Sequence, residues 1–164
     1  MTVRVRNDHR RGEAAARRLG RKARRYLAAL GREGAELSIL VCSDAVIRRL
    51  NREWRGKDRA TDVLSFPLTE PAGAGPWLGD VVVSLDTAER RARQEGRALG
   101  AELDRYLAHG LLHLLGHDHE RPRDAARMSA AEEGLLRGEG MVGAAEGEAR
   151  PRGSGPRAPR SPAR

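Results

Sequence analysis

His109-Gly110-Leu111-Leu112-His113-Leu114-Leu115-Gly116-His117-Asp118-His119 carries four of the chain's five histidines. On an α-helix, residues four apart project from one face, so His109 and His113 stack one above the other. That pair can grip one metal ion, and imidazole nitrogen suits zinc. Gly116 breaks the helix and lets the chain turn. His119 arrives beyond the turn, where it can close a third ligand position. Three protein ligands leave the fourth position to water or substrate, the layout of a catalytic zinc site rather than a closed structural one. Leu103, Tyr106, Leu107, Leu111 and Leu114 mark a buried stripe beside the two histidines. The metal is thus expected at the edge of the core, with solvent on its far side. His117 sits in the turn and is read as peripheral to the metal. For Asp118 three readings stay open: orienting an imidazole, capping the turn, or meeting solvent.

The zinc-peptidase helix has the pattern His-Glu-x-x-His, and its longer form continues x-x-Gly-x-x-His. His109, His113, Gly116 and His119 match the longer form. The glutamate does not, because Gly110 stands in its place. In peptidases that glutamate activates the zinc-bound water, so peptidase chemistry is disfavoured. Gly110 either opens room for a large substrate or permits a close helix–strand contact.

Working outward, strands and helices alternate. Thr2-Val3-Arg4-Val5 reads as a short strand. Residues 13–30 read as a helix with Leu19, Ala23, Tyr26, Leu27 and Leu30 on one face. Residues 37–42, apolar apart from Ser38, predict a buried strand. Ser43 is a helix N-cap, followed by an inward face of Val46, Ile47, Leu50 and Trp54. Residues 51–60 read as a polar, basic connector. Residues 62–66 and 78–85 predict strands, separated by a Pro- and Gly-rich loop at 69–76. Residues 86–98, 101–115 and 124–137 predict helices. The pattern implies an α+β layer structure with helices against a small sheet. One domain is expected over 1–141. From Val142 onward there is no large apolar residue, which predicts a disordered basic tail over 142–164.

The 164-residue chain carries a formal net charge of +8, unevenly placed. Residues 1–34 hold 11 basic and 3 acidic groups, residues 35–141 hold 15 and 18, and residues 142–164 hold 5 and 2. Basic ends attract polyanions, which favours a nucleic-acid partner. Only two of the 31 basic residues, Lys22 and Lys57, are lysine, so a coding bias towards arginine is the plainer alternative. Aromatic residues make up 3% of the chain, too few for a base-stacking sheet, so contact with RNA should run through phosphates and shape. One cysteine, Cys42, excludes an intrachain disulfide and a Cys-based zinc site. No apolar run is long enough to span a bilayer, and the N-terminus lacks a signal peptide's apolar stretch. A cytoplasmic protein without membrane partners is expected.

A second stretch, Asn51-Arg52-Glu53-Trp54-Arg55-Gly56-Lys57-Asp58-Arg59-Ala60-Thr61-Asp62-Val63-Leu64-Ser65-Phe66-Pro67, runs from basic residues into a strand. Arg55 could hold a phosphate in its planar fork. A salt bridge with Asp58 or Glu53 is the plainer alternative. Leu78-Gly79-Asp80 places a carboxylate at the head of the next strand, where it reaches the metal or satisfies a turn.

These stretches together resemble the YbeY family of bacterial endoribonucleases and ribosomal RNA maturation factors. The histidine stretch is similar to its His-Gly-x-Leu-His-Leu-x-Gly-x-Asp-His signature. Leu50-Asn51, Arg55-Gly56-Lys57-Asp58, residues 61–67 and residues 78–82 follow the family's order and spacing. The resemblance implies a zincin-like α+β fold, a small mixed four-stranded sheet with the metal site on a central helix and the turn after it. It implies one zinc ion per chain on His109, His113 and His119, and a functional role for Arg55 in a basic cleft. It implies a metal-dependent hydrolase, an endonuclease that cleaves single-stranded RNA. Its expected roles are maturing the 3′ end of 16S ribosomal RNA and ribosome quality control. The implied partners are ribosomal RNA, the small ribosomal subunit and its assembly factors. Zinc and Arg55 would act on the scissile phosphate, with Asp80 and Asp118 as candidate proton acceptors. Alternatives are a zinc-binding assembly factor without catalysis and, less favoured, a zinc peptidase. Two positions depart from the family pattern: Ala60 replaces a usual Pro, and His117 a usual Tyr.

Overall fold

The computed structural model describes residues 2–68 and 77–138. The loop expected at 69–76 and the tail expected over 142–164 lie outside them. The strands are β1 (Thr2–Asn7), β2 (Glu36–Cys42), β3 (Val63–Pro67) and β4 (Trp77–Ser84). The helices are α1 (Glu13–Ala29), α2 (Asp44–Arg55), α3 (Leu85–Glu95), α4 (Leu99–Leu114) and α5 (Pro122–Arg137). The strands form one sheet in the order β1-β2-β4-β3, parallel through β4, with β3 antiparallel on the edge.

Each strand's pattern follows from its place. β1 is an edge strand that turns Val3 and Val5 to the core and leaves Arg4 and Arg6 exposed. β2 is covered on both faces, so Ile39, Leu40, Val41 and Cys42 form a continuous buried apolar run rather than an alternating one. One face of the sheet, with Leu37, Ile39, Val41, Val81 and Val83, packs against α1, α3 and α4, and α5 packs on α4. The other face, with Leu40, Cys42, Leu64 and Val82, is covered by α2 through Ile47 and Leu50. Cys42 is fully buried, and burial pushes its thiol up to about 12, which keeps it protonated and inert.

The connector expected to begin at Asn51 begins instead after Arg55. α2 continues to Arg55 and is closed by Gly56, whose φ of 66° suits glycine. Asn51 is buried and its Nδ2 donates to the Arg59 carbonyl at 2.9 Å, so a polar residue serves on the inner face. α1 is tied to α4 by a fork: Arg18 Nε and Nη2 donate to the two carboxylate oxygens of buried Asp104, each at 2.9 Å.

At the C-terminal ends of the parallel strands, Ser43 and Ser84 cap α2 and α3, accepting from the Val46 and Thr87 amides. Asp86 accepts the Asp44 amide and bonds to His9 Nε2, both at 2.9 Å. Asp44 in turn accepts the Ser84 and Thr87 hydroxyls, both at 2.6 Å. Burial pushes both carboxyls up, but the hydrogen bonds outweigh it and hold both below the ordinary range. Their stabilisation is therefore full above about pH 4, the unfolded value, and is lost as pH falls through the lower folded values. Asp86→Ala should lose about 1–3 kcal/mol at neutral pH by orphaning its partners. It should also flatten the fall of the melting temperature below about pH 4. Thermal unfolding across pH 2–7 checks both, and an unaltered acid slope would contradict the assignment.

Candidate metal centre

α4 lies over β3 and β4 and buries Leu103, Tyr106, Leu107, Ala108, Leu111 and Leu112. His109 and His113 flank this buried surface and are half-buried, while His119 is exposed. The three histidines therefore lie at the edge of the core. Gly116, at φ 93°, turns the chain back, and the His117 amide donates to the Leu112 carbonyl at 3.0 Å. That return places His119 beside the helical pair. One ligand atom from each of His109, His113 and His119 lies within 4.8 Å of the others, so the three could hold a metal ion.

The ring hydrogen bonds test whether the residues suit a cation. His113 Nδ1 faces the His117 carbonyl at 3.0 Å, an oxygen that can only accept, so Nδ1 carries the proton. His109 Nδ1 faces the Glu132 carboxylate at 2.5 Å, with the same consequence. With Nδ1 as the protonated nitrogen, the neutral form of each ring has a bare Nε2, and those two nitrogens face one another at 3.0 Å. Two lone pairs so placed repel unless a cation lies between their directions, so the donor set fits a metal. Burial, and next the neighbouring His109, push His113 below the ordinary histidine range, which favours the neutral ring a ligand requires.

Gly110 is explained by packing. A Cβ there would lie 2.9 Å from Val81 Cγ1 and 3.1 Å from both Ser65 Oγ and Val63 Cγ2. Ser65 Oγ donates to the Gly110 carbonyl at 2.8 Å. Of the two readings left open by the sequence, close helix–strand contact is the one observed.

Arg55 makes neither of the salt bridges weighed above. Asp58 is taken by Arg48 in a forked pair, with Nε–Oδ1 at 2.9 Å. Arg55 instead donates from Nη2 to the Ser65 carbonyl at 2.6 Å, and its guanidinium lies 5.7 Å from the centre of the Phe66 ring. Ser65 thus bridges Arg55 to the backbone beside His109. Asp80 lies opposite Phe66, on the α2 face with Val82, whereas α4 covers the face of Val81 and Val83. It stands across the sheet from the histidines, on the side of Arg55. Asp118 caps the turn, its Oδ1 accepting the His119 amide at 2.7 Å and the Glu120 amide at 3.2 Å. His117 serves the site through its carbonyl. Glu132 was missed by sequence reasoning. The available signal was a carboxylate on the Met128–Leu135 stripe, where an amphipathic helix ordinarily places apolar residues.

A mixed four-stranded sheet, with three convergent imidazoles on the helix and turn packed over it, defines a zincin-like α+β protein with a candidate metal centre. The family model described as Endoribonuclease YbeY matches residues 4–139. The chain belongs to the YbeY endoribonuclease family. An Endoribonuclease YbeY of Anaeromyxobacter sp. is 70% identical over 151 residues, covering 92% of this chain and 79% of that protein. An Endoribonuclease YbeY of Geobacter metallireducens is 42% identical over 150 residues, covering 87% of this chain and 100% of that protein. The solution structure of TM1509 from Thermotoga maritima is similar, with a TM-score of 0.60 and 27% identity, covering 84% of this chain and 88% of that one. Among the described residues, no helix is long and apolar enough to cross a membrane.

Proposed function

We propose that this protein is a zinc-dependent endoribonuclease. It cleaves single-stranded RNA and acts in 3′-end maturation of 16S ribosomal RNA and in ribosome quality control. The observation that carries the reading is the convergence of His109, His113 and His119, with the Nδ1 atoms of the first two already engaged. Names of the relatives support an RNA substrate. Small-subunit RNA, the small ribosomal subunit and its assembly factors are the proposed partners, and the cytoplasm the proposed location. His109, His113 and His119 would hold one zinc ion per chain. Zinc bound there supplies Lewis acidity towards a phosphodiester oxygen and acidifies water.

The chain's own residues supply positioning and charge. Arg55, at the end of α2, carries a guanidinium that is seated by Ser65 and Phe66 on the edge strand. Its remaining N–H groups can bind a phosphate and offset the charge that grows on it in the transition state. Ser65, bonded to both Arg55 and the Gly110 backbone, fixes the distance between that cation and the histidine helix. Asp80, on the side of Arg55, and Asp118, engaged in the turn, are the candidates for proton transfer. Gly110 speaks against peptidase action, since packing leaves no room for the glutamate that peptidases use.

The test is cleavage of a single-stranded 3′-end ribosomal RNA fragment by metal-quantified protein. Wild type should cut. Arg55→Ala should stay folded and be slower by about 100-fold or more, the cost of removing one transition-state donor. His113→Ala should lose both zinc and activity. If wild type holds one zinc per chain and cuts nothing, the non-catalytic assembly factor becomes the better reading. Equal cutting by all three preparations would mean a contaminating nuclease.

A further inference from the structure

α5 buries Met128, Ala131 and Leu135 against α4. Glu132 lies on that same stripe, one position after Ala131. Its side chain is 17% exposed, whereas that of its neighbour Glu133 is 65% exposed. A carboxylate withdrawn from water this far is unfavourable without a partner. Its partner is His109, whose Nδ1 lies 2.5 Å from Glu132 Oε1. The two helical histidines are therefore held by unlike groups: a carboxyl side chain for His109 and a backbone carbonyl for His113. The carbonyl comes from the turn next to His113 itself. The carboxylate comes from a different helix, beyond the last of the three histidines.

We infer that Glu132 is a positioning residue for the metal centre, holding His109 in the tautomer with a bare Nε2 and aiming that nitrogen at the site. The inference rests on reading His109, His113 and His119 as metal ligands. A carboxylate behind a ligating imidazole fixes ring orientation and raises the basicity of the ligand nitrogen, and its loss weakens metal binding by about 10–100-fold. Because Glu132 sits on α5, docking of the last helix and completion of the metal site are one event. The competing account is that Glu132 merely ties α5 to α4.

Three measurements on the full chain separate them. They are Zn2+ affinity by competition with a chromophoric chelator, histidine ring 15N spectra of the metal-free protein, and thermal unfolding. Wild type, Glu132→Ala, Glu132→Gln and the neighbour control Glu133→Ala are compared. Glu132→Ala should bind Zn2+ about 10–100-fold more weakly, and its His109 ring should show both tautomers. Glu132→Gln, whose amide oxygen still accepts, should keep one tautomer and fall between wild type and Glu132→Ala in affinity. Glu133→Ala should match wild type. A Glu132→Ala protein that melts earlier yet keeps wild-type Zn2+ affinity and a single His109 tautomer overturns the inference. Should Glu132→Ala not fold, the inference fails if folded Glu132→Gln binds as tightly as wild type. Should wild type itself bind no Zn2+, the ligand reading fails. The ring spectra then decide Glu132 separately: a tautomer change in its variants supports it, and unchanged spectra overturn it.

Discussion

Gly110→Glu is expected to unfold the protein rather than convert it into a peptidase. The Cβ alone would stand 2.9 Å from a methyl of Val81, with Ser65 Oγ and Val63 Cγ2 close behind at 3.1 Å. Gly110→Ala isolates that first atom. It gains about 1 kcal/mol of helix propensity and loses about 1–3 kcal/mol to overpacking, so a small net destabilisation should be measured. Glutamate adds two methylenes and a carboxylate between α4 and the β3–β4 pair, where the neighbours are valines and a serine already engaged with the Gly110 carbonyl. Burying an unpaired carboxylate costs several kcal/mol more. A domain has about 5–15 kcal/mol in total, so the combined loss takes most or all of it. Circular dichroism and a thermal melt check the outcome. A cooperative melt at the wild-type temperature would show that α4 is not seated on the strands as described.

Gly79→Ala should be nearly as damaging, by a different route. Gly79 sits in β4 at φ 131°, a conformation that suits glycine. Its missing Cβ would fall 2.1 Å from the Phe66 carbonyl oxygen, and 3.0 Å from both the Leu68 nitrogen and Pro67 Cα. All three are backbone atoms, so no rotamer change relieves the clash. Relief requires β3 to part from β4 where Pro67 pairs with Gly79. Strain of about 1–3 kcal/mol adds to the lost pairing, and a total of roughly 3–5 kcal/mol is expected. The same strand carries the Ser65 carbonyl and the Phe66 ring that seat Arg55. RNA cleavage should therefore fall at least as far as in Arg55→Ala, even where the variant is still folded. Denaturant unfolding and cleavage assays on one preparation test both, and a wild-type unfolding midpoint would refute the expectation.

Much of this architecture was legible in the sequence. The apolar-rich stretches at 37–42 and 78–85 located β2 and β4 to within a residue or two, because strands covered on both faces carry apolar side chains at successive positions, as at Ile39-Leu40-Val41 and Val81-Val82-Val83. Ser43 located the start of α2, since its hydroxyl caps the helix. The end of α2 was not legible, because Asn51 is polar and yet buried through a bond to the Arg59 carbonyl that periodicity cannot register. The histidine spacing located the candidate centre, since all three residues fall within one helix and its turn. Glu132 and the seat of Arg55 were hidden for a common reason: each depends on a contact between elements distant in the chain. The sequence left Asp80 either reaching the metal or satisfying a turn, because only the packing of α2 and α4 shows which face of β4 it shares with Val82.

Among the described residues the sheet has an unpaired strand edge at each end, on β1 and on β3, and such an edge is a template for a second copy of the chain. β1 displays Arg4 and Arg6 along its exposed edge strand, while β3 stops at Pro67, which has no amide to donate. With a formal net charge of +8 behind them, two copies approaching edge to edge meet repulsion at one border and an interrupted ladder at the other. Resistance to sheet-to-sheet aggregation is thus written into the two strands that have a free side.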